Sequence, residues 1–208
     1  MFASSTSFAA DAPVLGEASN FTALSAADEG RGAVTCTDAA VIGDIGSSGF
    51  PAAVVETGCA RQGLIIAPVS AAVLADFNSA YTSLQSTQCE RILTGTLDSV
   101  TLAPGVYCFE EAAVLTGTVR LAGPSTGVWI FLVNGDLTGN IFTTLLTGGA
   151  QACNLFWGPS GAATMTDSNL QGTVVAGAAI TLTRGTFGGR ALAKDAVTMT
   201  GVAATGCN

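Results

Sequence analysis

The C-terminal third of this 208-residue chain repeats itself every 17 residues, and that period severely restricts what the chain can fold into. Thr164-Met165-Thr166 recurs as Thr181-Leu182-Thr183 and again as Thr198-Met199-Thr200. After the first two copies, Asn169-Leu170 aligns with Thr186-Phe187, and Gly172 with Gly189. Upstream copies are looser. Val100–Ala103 aligns with Val119–Ala122 at a spacing of 19, and Leu93–Leu97 is echoed by Leu115–Val119. Another 19-residue step relates Asn154–Gly158 to Thr173–Gly177. Strict alternation of threonine with an apolar residue has the period of a strand, so Met165, Leu182 and Met199 point inward and the threonines outward. A turn of 17–19 residues holding three short strands predicts a β-solenoid of triangular cross-section, a mainly β fold. Residues of equal phase then stack about 4.8 Å apart, giving one column of Thr164, Thr181 and Thr198 and a second of Thr166, Thr183 and Thr200. The two columns lie about 7 Å apart, twice the rise per residue.

One strand of each coil reads differently. Val128–Val133, Leu155–Trp157 and Thr173–Ala176 are apolar on both faces, so they need a cover. The residues from Pro68 to Ser86 supply it as one long helix. Pro68 suits the first helical position, and Val69, Val73, Phe77, Tyr81 and Leu84 recur at helical spacing. Residues 14–67 repeat poorly and read as an irregular first coil plus a cap, which a solenoid end requires.

Composition narrows the chemistry. A formal charge of −8 with only seven Lys plus Arg argues against nucleic acid as a partner. Histidine is absent, which removes the commonest general base and transition-metal ligand, so no cofactor or metal is expected. The six cysteines, Cys36, Cys59, Cys89, Cys108, Cys153 and Cys207, form no C-x-x-C motif and read as a disulfide framework of an oxidising compartment. Fifteen full pairings are possible for six cysteines, the simplest being 36–59, 89–108 and 153–207. No stretch of 18 apolar residues is present to span a membrane. Residues 1–13 read as an arm or trimmed leader, and 14–208 as a single domain of an exported, monomeric protein.

Several stretches together resemble the microbial ice-binding (antifreeze) proteins. They are Leu15-Gly16-Glu17-Ala18 with Phe21, Gly43-Asp44-Ile45-Gly46, Leu102-Ala103-Pro104-Gly105-Val106-Tyr107, Gly149–Trp157 and Gly189-Arg190-Ala191-Leu192-Ala193. The resemblance implies a discontinuous right-handed solenoid beside a long helix, with the first coil packed out of sequence order. It also implies secretion, adsorption to ice on a flat solenoid face, and neither catalysis nor metal.

The residues proposed to meet ice are Thr164, Thr166, Thr181, Thr183, Thr198 and Thr200, with Asn169 and Thr186 as secondary members. Threonine favours strands for its own sake, but equal phase over three coils with no charge at the six positions exceeds that preference. Regular hydroxyls with methyl groups between them offer a preorganised template for ordered water. Such a face gives thermal hysteresis and inhibits ice recrystallisation. Two alternatives use the same fold. A non-catalytic adhesion or surface module would favour charged or aromatic residues at the threonine positions. A polysaccharide-cleaving enzyme would draw on Glu110, Glu111, Asp136 and Asp167, yet adjacent glutamates on a strand point to opposite faces. Asn134-Gly135-Asp136 reads as a turn, Trp129, Phe131, Phe156 and Trp157 as core under the helix, and Arg190 as an exposed partner of an acidic side chain.

Overall fold

The computed structural model describes residues 10–207; the arm expected at residues 1–13 lies mostly outside them. Two parallel sheets wind into a solenoid. The first stacks, from one end to the other, Ile65–Ile66, Asp44–Ser47, Phe21–Ser25, Ala191–Ala193, Thr173–Ala176, Leu155–Pro159, Trp129–Val133, Gly105–Phe109 and Arg91–Ile92. The second stacks Val54–Thr57, Val34–Thr37, Val197–Thr205, Ile180–Gly188, Ala163–Gln171, Leu137–Thr147, Ala113–Ala122 and Thr101–Leu102. Ala40–Ile42 and Ala60–Gln62 extend it beside the distal half of Val197–Thr205.

Each long strand of the second sheet turns a corner midway, at a residue in left-handed backbone. These corners are Gly117 (φ +70°), Ile141 (+50°), Asp167 (+50°), Arg184 (+57°) and Gly201 (+61°), continued by Asp38 (+49°) and Gly58 (+64°). The turn divides the sheet into two outer faces, so the solenoid has three sides, as the repeat predicts.

The coils are not stacked in chain order. Phe21–Ser25 lies between Ala191–Ala193 and Asp44–Ser47, so the N-terminal coils continue the stack beyond the C-terminal one. Residues 14–67, expected to be an irregular coil and cap, instead build two coils in regular register with the rest. Repeat length hides them: Val34–Thr37 pairs with Val54–Thr57 at a step of 20, not 17.

An α-helix, α1 (Ala71–Gln85), the single one among the described residues, then carries the chain back along the stack. Its 15 residues span about 22 Å, the height of four to five coils. It starts three residues later than Pro68 because the Val69 N–H is still bonded to the Ser47 carbonyl of the last N-terminal coil, at 2.9 Å. Ser70 is the N-cap, its hydroxyl accepting from the Val73 N–H at 3.3 Å. Ser70→Ala is expected to lower stability by about 1 kcal/mol, the usual worth of such a cap, as a shift in a thermal or denaturant midpoint.

Val73, Phe77, Ala80 and Leu84 bury one stripe of α1 against Leu24, Val106, Ile130, Phe156, Val175 and Leu192. Gly158 sits directly below Leu84: a Cβ there would lie 2.6 Å from the leucine Cδ2. The inner strands of this sheet are therefore covered on both sides, as their doubly apolar sequence requires. A second core fills the lumen. Tyr107, Phe131 and Trp157 stack along it in register, with ring centroids 5.4 and 4.2 Å apart. The column tapers through Val174, Ala191 and Ala23. Trp129, Phe131 and Trp157 thus belong to the lumen rather than to the helix interface, and only Phe156 of the four aromatics faces α1. Strand alternation splits them. Register also corrects one step of the repeat: Phe156 pairs with Thr173 and Trp157 with Val174, a spacing of 17 and not 19.

The disulfides join Cys36 to Cys59, Cys89 to Cys108 and Cys153 to Cys207. The first links the two N-terminal coils, the second ties the far end of α1 to the first sheet, and the third anchors the C-terminus.

Candidate functional site

Between one turn and the left-handed corner lies a face built almost wholly of threonine. Its first column runs Val114, Thr138, Thr164, Thr181, Thr198, Thr35 and Val55, each paired in register with the next. The second runs Asn140, Thr166, Thr183, Thr200, Thr37 and Thr57, with Thr116 beside Asn140 at a bulge. Four successive rungs carry both threonines, and the array spans about 29 Å at the ordinary strand spacing. None of these positions is charged.

The floor under the face is fixed. Leu115, Met165, Leu182, Met199 and Cys36 alternate with the threonines and are at most 3% exposed. Gly139 interrupts that inner column because the Met165 sulfur occupies the space its side chain would need. Locked inner residues and in-register ladders resist the twist that sheets otherwise accumulate.

Thr35, Thr37, Thr57 and Thr138 extend the face beyond the six threonines found by spacing. No linear period connects Thr35 to Thr198, since the two are neighbours only through the out-of-order stacking. A local signal exists nonetheless: Val34-Thr35-Cys36-Thr37 has the pattern of Val197-Thr198-Met199-Thr200.

Asn169 and Thr186 fall on the next side of the solenoid, past the corner. There the outward column runs Thr118, Thr143, Asn169, Thr186, Ala203, Ala40 and Ala60. Beside it stand Arg120, Leu145, Gln171, Gly188, Thr205, Ile42 and Gln62. This third side is chemically mixed, and three of its polar side chains are engaged with one another. The Thr186 hydroxyl donates to Asn169 Oδ1 at 2.7 Å, and Gln171 Nε2 donates to the same oxygen at 3.1 Å. Among the described residues no such bond occupies the hydroxyls of the threonine face, which leaves them to water.

At the corner, Arg184 donates twice to Asp167, Nε to Oδ1 and Nη2 to Oδ2, both at 2.6 Å. Hydrogen bonding from this guanidinium holds the Asp167 carboxyl below its ordinary range. The other carboxylates proposed for catalysis do not converge. Asp136 accepts from the Ala162 N–H at 2.8 Å, fixing a turn, while Glu110 and Glu111 are exposed. No group of three or more His, Cys, Asp and Glu able to hold a metal ion occurs among the described residues. Arg190 differs from expectation: it is half-buried, donating to the carbonyls of Ser19 and Cys207 at 2.7 and 2.8 Å, with no acidic partner among the described residues. Burial lowers its pKa from the ordinary arginine value. Its role is to tie the N-terminal coil to the C-terminus.

The coils thus form a three-sided solenoid stacked out of chain order, with α1 covering one side and threonines lining another. The sequence profile of the family described as "Ice-binding-like" matches residues 14–205. The chain belongs to that family, which is non-catalytic. It is 30% identical over 205 residues to an ice-binding protein of Flavobacterium frigoris, covering 89% of this chain and 73% of that one. An ice-binding protein of a Nostoc species is 36% identical over 207 residues, covering 92% and 73%. The crystal structure of an ice-binding protein from an Antarctic biological consortium superimposes with a TM-score of 0.85 at 28% identity, covering 99% and 96%. Three disulfides place the family fold in an oxidising, extracytoplasmic setting. Among the described residues no helix is long and apolar enough to cross a membrane.

Proposed function

We propose that the protein is secreted and, as a monomer, adsorbs to ice through the threonine face, with residues 14–208 acting as one ice-binding unit. The contact set is Thr164, Thr166, Thr181, Thr183, Thr198 and Thr200, extended by Thr35, Thr37, Thr57 and Thr138. The single observation that carries this reading is the uncharged double column of threonines continuing in register across the junction between the C-terminal and N-terminal coils. Each hydroxyl–water contact is weak, so adhesion depends on many acting together on a rigid template. Adsorbed molecules pin the advancing ice front, which curves between them and needs further cooling to grow. Thermal hysteresis and inhibited recrystallisation both follow from pinning.

Asn169 and Thr186 act at most at the margin of this contact, since their side chains bond to each other on the adjoining side. The test is uptake of fluorescently labelled protein into a slowly growing ice hemisphere. Wild type is expected to enter the ice and Thr181→Tyr to stay largely in the liquid, while both have the same circular dichroism. Equal exclusion of the two proteins would refute the proposal.

A further inference from the structure

The corner beside the threonine face carries an arrangement that the fold itself does not require. Its left-handed backbone is most easily met by glycine, as at Gly117, Gly201 and Gly58. Asp tolerates that region better than most residues, but Arg184 at φ +57° has no such excuse. Both residues are exposed, and neither side chain packs into either core. What they do is bind each other. Asp167 and Arg184 occupy the same phase on adjacent rungs, and the guanidinium engages both carboxylate oxygens as a fork. Arg184 Cγ lies 3.5 Å from where a side chain on Gly201, the next corner, would begin. The arginine therefore lies along the corner, parallel to the solenoid axis.

Without that restraint the side chain is free to swing. Arg184 directly follows Thr183, and its neighbours in the near column are Thr166 and Thr200. A mobile guanidinium over these hydroxyls brings its own hydration shell and must lose its rotamer freedom when the face meets a solid. We infer that Asp167 is a positioning residue for the ice-binding face: its carboxylate holds Arg184 along the solenoid corner and off the threonine array. This rests on the proposed reading of the face, and it assigns to Asp167 an effect exerted only through Arg184.

The experiment compares thermal hysteresis of wild type, Asp167→Asn, Asp167→Gly, Arg184→Gly and the double variant Asp167→Asn/Arg184→Gly, with Thr181→Tyr alongside. Glycine and asparagine both tolerate left-handed backbone, so all of these corner variants are expected to keep the fold, which circular dichroism checks. Either Asp167 variant is expected to lose roughly two-fold or more of the hysteresis, because many weak contacts are needed at once. Arg184→Gly and the double variant are expected to match wild type. A merely structural Asp167 would not be rescued by removing the arginine. If Asp167→Asn and Asp167→Gly keep full hysteresis, or the double variant stays as low as its parent, the inference falls alone. If Thr181→Tyr keeps full hysteresis, the reading of the face falls and takes the inference with it.

Discussion

Thr35→Tyr is expected to remove most of the thermal hysteresis, as fully as Thr181→Tyr, although the two positions are far apart in sequence. Thr35 pairs with Thr198, which pairs with Thr181, so all three stand in one column within two rungs. A tyrosine ring at either point stands above the plane and holds the neighbouring hydroxyls off a flat partner. Neither change touches the floor, because the inward residues are the adjoining Cys36 and Leu182. Cys36 is further held by its disulfide to Cys59. Stability should therefore shift by no more than about 0.5 kcal/mol, the range of ordinary surface substitutions. The measurement is hysteresis in a nanolitre osmometer with a thermal melt of each variant. Full activity in Thr35→Tyr, with Thr181→Tyr inactive, would confine the site to the coils of the 17-residue repeat.

The opposite signature is expected of Trp157→Ala: a large loss of stability with the ice contact spared at low temperature. Trp157 is fully buried in the lumen, stacked at 4.2 Å on Phe131 and edge-on to Phe142 at 6.2 Å. Its indole N–H donates to the Gln171 carbonyl at 3.0 Å, which the alanine variant leaves without that donor. Removing so large a ring from a lumen closed by parallel strands leaves a cavity that can collapse little. The expected cost is about 3–5 kcal/mol. That is a large share of the roughly 5–15 kcal/mol that holds a domain together, and it corresponds to a fall in midpoint on the order of 10 °C. Calorimetry or a denaturant titration reads it directly. A loss below about 1 kcal/mol would mean that the aromatic column does not brace the coils.

Much of this architecture is legible in the chain. Solenoid, covering helix and threonine columns follow from Thr164–Thr200 and from the doubly apolar strands, because three successive coils there carry no insertion. Elsewhere the period is obscured for physical reasons. The strand Leu137–Thr147 carries a bulge opposite Leu115–Gly117, which puts its corner at Ile141 rather than at a glycine. The turn and short 3-10 helix before Leu155 lengthen one coil, so that Thr138 and its neighbour Thr164 are 26 residues apart. Order of stacking is a tertiary property. Nothing local to Val34–Thr37 states that it follows Val197–Thr205 in space, and only the family resemblance implied a displaced coil. Arg190 was equally opaque, since its carbonyl partners at Ser19 and Cys207 come from opposite ends of the chain.

The two uncovered sides of the solenoid now make different predictions. Thr181 lies at the centre of the threonine face, and Ala203 is an exposed small residue one rung from the centre of the third side. The decisive measurement is the thermal hysteresis of Thr181→Tyr beside Ala203→Tyr, at equal concentration and with both folds verified by circular dichroism. The threonine-face account predicts that Thr181→Tyr loses most of the wild-type hysteresis and that Ala203→Tyr keeps it. Loss in Ala203→Tyr with full activity in Thr181→Tyr would contradict that account and move the ice contact to the third side.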